Sequence, residues 1–496
     1  MGLAIQREQF EDQEYQDFAC RLDECLLALK ALLERPGFGE GPPSLGAELE
    51  FYLVDDTGRP LLSNREVLAE TVDPRMTVEL NRFNLECNLR HGPLAGRPFD
   101  ALGRELEDAV DELRRAASLH GGRVAMVGIL PTLLPKDLQP EVMTDTARFR
   151  ALSSALARLR QEPFRLDIGG DESLSMPCND VTFEGAATSL QLHLRVAPGD
   201  FAPLYNAMQM ATAPALAISC NSPILLEHRL WEETRVALFK QAVDYRNDQE
   251  RRERRAARVS FGTRWVERGA LELFEENVRL HEPLLPVMGD EDPSACVRSG
   301  GVPRLDEIRL HQGTVWRWNR AIYDPADGGH LRIEMRALPA GPSIPDMLAN
   351  TAFLVGLGLG LAPDMRDWIR GFAFDSAHSN FYRAAQQGLG AELLWPRAPG
   401  EEAVSSDARE LVLRMIPLAQ AGLEGAGVDA DQARTLLSVI EERTRCGMTG
   451  SAWQRLTLEA LEARGLTRRA ALHGMLERYL EHSSGTLPVH RWPVES

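Results

Sequence analysis

The chain has 496 residues, 44% of them hydrophobic, enough to bury a large core in two or three units or in one extended domain with a helical annex. Lys plus Arg number 55 against 73 Asp plus Glu, and the formal net charge of -18 excludes a general affinity for nucleic acid or for an anionic membrane surface. Seven scattered cysteines with no CxxC pair exclude a disulfide framework and a cysteine zinc site.

In chain order, apolar residues recur at spacings of three and four from Phe18 to Leu33, which predicts an amphipathic helix ended by Pro36 and Gly37. The acidic and polar amino terminus does not read as a secretory signal, so a cytoplasmic location is expected by default. A Gly-Pro-rich linker, Gly39 to Ser44, leads into a strand. Further helices are expected over Phe99, Leu102, Leu106, Val110 and Leu113, and around Leu204 to Met210. Phe353 to Ala362 is the longest plainly apolar stretch, well short of the roughly 18 residues that span a bilayer, and reads as a core helix. Gly356, Gly358 and Gly360 within it read as close helix packing. Beyond about Pro345 strand signals thin out; Ala398 to Ala408 reads as a linker, and Leu411 to Ile416, Ala433 to Ile440 and Trp453 to Tyr479 as successive helices. The expected organisation is 1–44 as N-terminal helix and linker, 45–397 as a catalytic domain and 398–496 as an all-helical C-terminal region.

Side chains alternate between the two faces of a strand, so residues two apart point the same way. In Ala47 to Leu53 the odd positions are apolar, while Glu48 and Glu50 share the other face. The pattern recurs with Asn84, Glu86 and Asn88, with Ser189, Gln191, His193 and Arg195, and with Arg332, Glu334 and Arg336. Any one such strand fits an ordinary sheet with a solvated face. Four together, without lysine and rich in carboxylate, imidazole and guanidinium, read instead as ligands. Hard divalent ions such as Mg2+ or Mn2+ prefer carboxylate oxygen and keep positions for water and phosphate. Glu48, Glu50, Glu86, His193 and Glu334 suit two or three such ions, while Arg195, Arg332 and Arg336 suit phosphate and carboxylate oxygens.

Zinc would draw more His or Cys. A glycosidase pair is disfavoured because neighbouring arginines would depress both acids. No GxxxxGK loop followed by Ser or Thr is present, nor HExxH or GxSxG. The basic run from Arg246 to Arg264, with Arg251, Arg252, Arg254, Arg255 and Arg258, reads as a solvated face or as a lid over phosphate. Trp316 and Trp318 alternate with polar residues and read as a pocket wall.

The segments Gly46 to Glu50, Thr188 to His193, Asn221-Ser222-Pro223, Leu230 to Arg235 and His330 to Arg336 resemble bacterial carboxylate-amine ligases of the glutamate-cysteine ligase group, over roughly residues 45–360. The resemblance implies an α+β fold: a curved antiparallel sheet funnel packed with helices and similar to the glutamine synthetase core, with ATP entering at one end and an amino acid at the other. It implies that Glu48, Glu50, Glu86, His193 and Glu334 bind metal and that Arg235, Arg332 and Arg336 are catalytic. Gln191, Arg195, Asn221 and Trp316 are expected to bind substrate or ATP. Glu79 joins the metal ligands only where a bulge or turn intervenes, because its parity is opposite to that of Glu86. The implied reaction transfers a phosphoryl group from ATP to a carboxylate, that of glutamate foremost, and an amine such as cysteine then displaces phosphate. Two other readings of the same residues are a metal- and nucleotide-binding regulatory module without catalysis and a metal-dependent hydrolase that does not use ATP. Homo-oligomeric assembly stays open.

Overall fold

The structure, a computed structural model, describes residues 5–160, 164–178, 180–253 and 255–494. The alternating segments form β1 (Ser44–Val54), β2 (Met76–Val78), β3 (Asn84–Asn88), β4 (Leu190–Val196), β5 (Asn319–Asp324) and β6 (His330–Met335). These run in the order β5-β6-β4-β1-β3-β2, and two short strands, Gly92–Pro93 and Arg123–Ala125, also pair with β1 to complete an eight-stranded sheet. Every ladder in it is antiparallel. Register does the rest. His193 stands opposite Glu334 on one side, Glu48 opposite Gln191, and Glu50 opposite Glu86. Directly opposed residues share a face, so these six side chains line one side of the sheet.

The other side is dry. Leu49, Phe51, Leu85, Leu192 and Ile333 are wholly buried there, each contributing about 1.5–3 kcal/mol relative to exposure. α1 (Asp12–Leu33) packs elsewhere through the expected stripe of Phe18, Leu22, Cys25, Leu29 and Leu32. Behind the sheet lie α2 (Pro98–Ser118), α3 (Phe201–Ser219) and α4 (Ile344–Leu361). The segment Ile344–Arg370 is long and apolar enough to cross a membrane, yet 72% of its most apolar window is buried within the protein. It is therefore the central core helix. Its glycines permit a backbone-to-backbone crossing with α5 (Ala408–Gly425): a Cβ on Gly422 would stand 2.2 Å from the Gly356 carbonyl oxygen.

The stretch read as a linker is not one. Glu392–Pro396 pairs with Ala403–Asp407 in a hairpin, so Ala398 to Ala408 is its turn and second strand, leading directly into α5. From there the chain is helical through α6 (Ala430–Cys446), α7 (Gly450–Ala463) and α8 (Arg468–Ser483). These helices are stitched to the core helix by buried polar groups. Arg443 of α6 pairs with Asp346 of α4 at 2.6 Å, and both are essentially inaccessible. The basic run is mostly a solvated, self-paired surface, with Arg246 and Arg251 on Asp244 and Arg255 on Glu250. Arg258 departs from that reading: it is buried and donates to the carbonyls of Thr314 and Glu282. Arg254 lies outside the described residues.

Candidate active site

The polar face of the sheet forms one wall of a cavity of about 440 Å³. Glu48, Glu50, Glu86, Gln191, His193, Arg332, Glu334 and Arg336 all line it, as does Trp316. Glu48 accepts a 3.0 Å contact from the His193 Nε2, and Glu334 Oε1 lies 3.8 Å from the same nitrogen. One ligand atom from each of Glu48, His193 and Glu334 falls within 4.8 Å of the others. This donor set, two hard carboxylates and one imidazole presented to a single point, fits an octahedral divalent ion that keeps further positions for water or phosphate.

A second group of carboxylates stands beside the first. Glu50 accepts from the backbone N–H of Ser189 at 2.6 Å and from the Gln191 amide at 3.0 Å. The oxygen of that amide accepts from Arg336, so Gln191 relays between a carboxylate and a guanidinium. Glu86 is held by Asn88 at 2.7 Å. Glu79 also faces the cavity. A turn separates β2 from β3, and register pairs Thr77 with Glu86, so the opposite parity of Glu79 is resolved by the turn.

The two groups differ electrostatically. Burial pushes the Glu50 carboxyl up to about 7, reinforced by Glu79. Burial and the crowd of Glu48, Glu79 and Glu50 raise Glu86 as well. At Glu334 burial acts in the same sense, but the Arg320 and Arg336 guanidiniums outweigh it and hold the carboxyl far below its usual range. Glu48 is also lowered, since the His193 imidazole overcomes burial. Crowded carboxylates of this kind are relieved by bound cations.

Beyond the main cavity a small alcove is bordered by Glu50, Glu184, Ser189, Arg235, Phe239, Trp318 and Arg336. Arg235 reaches it, but most of its donors are engaged. It pairs with Glu233 at 3.0 Å and donates to the carbonyls of Arg336 and Ala337, which fixes the end of β6. Arg195 and Asn221 are not among the residues lining either space. Arg195 donates to the Glu40 carbonyl at 3.1 Å. Asn221, fully buried after α3, donates to the Ala340 carbonyl and to Tyr479 of α8, while Gln454 of α7 donates to it.

Among the lining residues that escaped the sequence reading are Glu184, Arg148, Arg309 and Arg320. Glu184 sits in the 3-10 turn Val181–Ala186, clamped by Asn81 on the Thr182 carbonyl and by Tyr52 on the Ala186 carbonyl. Burial and the Glu79 and Glu50 charges push Glu184 up to about 8. Arg148 projects from the first turn of the helix Ala147–Leu159, and Arg309 from Asp306–Gln312. Arg320 lies opposite Glu334 on β5 and pairs with both of its oxygens. Period two carried on from Trp316 and Trp318 reaches Arg320, so that signal was present.

The raised carboxyls set a pH dependence. A group whose folded pKa exceeds its unfolded value stabilises fully below the unfolded value and loses that contribution as pH rises through the folded one. For Glu50 and Glu184 the window runs from the ordinary 4.5 to about 7 and about 8. Glu48 and Glu334 shift downward, so their stabilising contribution is complete above the ordinary 4.5 and does not change across that window. Without divalent ions the thermal midpoint is expected to fall between about pH 5 and pH 8, and added magnesium to restore it most at the upper end. Calorimetric scans across that range check this; a midpoint that rises with pH in chelator would contradict it.

Comparison with known proteins bears on the fold and the family. A glutamate–cysteine ligase of Haloferax volcanii is 27% identical over 186 residues, which make up 36% of this chain and 44% of that protein. The match thus spans less than half of that relative's length. The crystal structure of a glutamate–cysteine ligase from Francisella tularensis in complex with AMP superposes with a TM-score of 0.55 at 11% identity, covering 91% of each chain, and shares the fold. Residues 44–482, which include every strand of the cavity wall and nearly all of the helical tail, match the model of Glutamate-cysteine ligase family 2, and the chain belongs to that family.

Proposed function

We propose that the chain is an ATP-dependent carboxylate-amine ligase that activates the γ-carboxylate of glutamate as an acyl phosphate and condenses it with an amine, cysteine being the first candidate. The observation that carries this reading is the convergence, in one cavity, of the Glu48–His193–Glu334 cluster with the Arg336–Gln191–Glu50 relay. Family membership supports the reaction class.

Glu48, His193 and Glu334 would hold one Mg2+ or Mn2+, and Glu50, Glu79 and Glu86 border the place of a further ion. Such ions would supply positive charge to offset that of phosphate oxygens. The remaining work falls to the chain. Arg336 and Arg332 offer guanidiniums to the transferring phosphoryl group, where charge compensation and alignment supply most of the rate. Gln191 keeps the Arg336 fork oriented through its amide oxygen. Glu184, between cavity and alcove, is placed to meet the incoming ammonium, whose charge favours the ionised carboxylate, and that carboxylate would then take its proton. Trp316 walls the cavity and limits water.

The test is a phosphate-release screen with ATP, magnesium, glutamate and a panel of amines, followed by mass spectrometry of the product. ADP and phosphate are expected only when acid and amine are both supplied, with a product mass equal to their sum less water. Absence of amino-acid-dependent ADP release from any pair would remove the ligase assignment.

A further inference from the structure

Arg320 makes a claim on the ligand cluster that competes with a metal ion. Its Nε and a terminal nitrogen donate to the two oxygens of Glu334 at 2.5 and 2.9 Å, and its remaining terminal nitrogen donates to the Gln312 carbonyl at 3.1 Å. The Glu334 side chain is almost inaccessible, so this fork takes the carboxylate in the plane that it would turn to an ion. A guanidinium and a divalent cation sharing one buried carboxylate also repel each other, and screening there is weak.

Arg148 lines the same space and forms no hydrogen bond or ion pair among the described residues. Burial lowers its affinity for a proton, the Glu79 carboxylate opposes that, and the nearby Arg320 charge acts with burial. Of the guanidiniums that face this chamber, Arg320 is held by a ligand carboxylate, whereas Arg148 has only the Glu79 charge near it and no hydrogen bond among the described residues.

We propose that Arg320 is a positioning residue that couples metal capture to the arrival of a polyphosphate: it occupies Glu334 until phosphate oxygens, met also by Arg148, draw it away and release that carboxylate to the ion. The coupling deepens the ligase reading, on which the identity of the polyphosphate rests, but competition at Glu334 requires no turnover.

The test titrates Mn2+ alone, with no nucleotide, and follows free ion by electron paramagnetic resonance. Arg320→Met and Arg320→Gln are compared with the wild type, and folding of each is confirmed by circular dichroism. Both variants are expected to bind Mn2+ about tenfold tighter or better, a difference of about 1.4 kcal/mol. A non-hydrolysable ATP analogue is then expected to tighten Mn2+ binding more in the wild type than in either variant, because coupling is reciprocal. Arg148→Met is expected to weaken analogue binding while leaving the affinity for Mn2+ alone near that of the wild type. If the Met variant does not fold, the Gln variant decides, since its amide keeps one hydrogen bond to Glu334. Folded variants that bind Mn2+ no better than the wild type would overturn the proposal. A protein that releases no ADP but shows tighter Mn2+ binding in the variants would lose the ligase reading and keep this one.

Discussion

Arg336→Met is expected to lower kcat by about 10³-fold or more, the scale set by arginines that stabilise a transferring phosphoryl group. The side chain stands at the junction of cavity and alcove, with one terminal nitrogen 3.2 Å from Glu334 and bonded to Gln191. Its main chain is fixed independently: the N–H donates to the Trp318 carbonyl at 2.9 Å, and its own carbonyl accepts from Arg235. The strand end is thus held in place, and the loss in the chemical step should exceed the loss of stability from removing one partner of Glu334. Arg336→Lys should recover only a minor part of it, because an ammonium supplies charge without the planar fork. Single-turnover ADP formation is the measurement. A methionine variant within tenfold of the wild type would show that the phosphoryl group is handled elsewhere.

Glu50→Gln should separate activity from stability. The glutamine fills the same space, removes the buried charge whose desolvation raises Glu50 to about 7, and ends its repulsion with Glu79 and Glu86. In chelator at pH 8 the variant is expected to melt no lower than the wild type, while turnover falls by about 10²-fold or more. Glu334→Gln should behave differently. Arg320 and Arg336 both rest on that buried carboxylate, and removing one partner of a buried pair costs about 3–5 kcal/mol. Thermal melts beside steady-state assays distinguish the two variants. A destabilised Glu50→Gln protein would mean that the acidic cluster is structural.

The candidate site was legible wherever chemistry and strand periodicity coincide. Glu48, Glu50, Glu86, His193 and Glu334 were readable because alternation assigns a face to every residue, and a face rich in carboxylates is unusual. Glu184 and Arg148 were not, because a 3-10 turn and a helix's first turn carry no period that aims a side chain. Asn221 illustrates a different limit. A polar residue in an apolar setting signals that its hydrogen bonds matter, but not whether they serve a ligand or the fold, and here they join α3, α7 and α8. The hairpin at 392–407 was hidden by Pro399, Gly400 and the two serines of its second strand, which together look like a loop. Arg195 shares the parity of His193, yet it lies near the end of β4 and turns to the Glu40 carbonyl. Parity gives direction, while position along the strand decides whether that direction meets the cavity.

The register of β1, β4 and β6 makes the cluster a test of completeness. Glu48, His193 and Glu334 are separated by well over a hundred residues of chain at each step and meet only through two ladders formed in register. A slip of one residue in either ladder would send a ligand to the dry side. On the proposed metal role, an intermediate that has assembled only part of the sheet would lack a ligand, and a nascent polypeptide would draw no ion from its surroundings until β6 has docked.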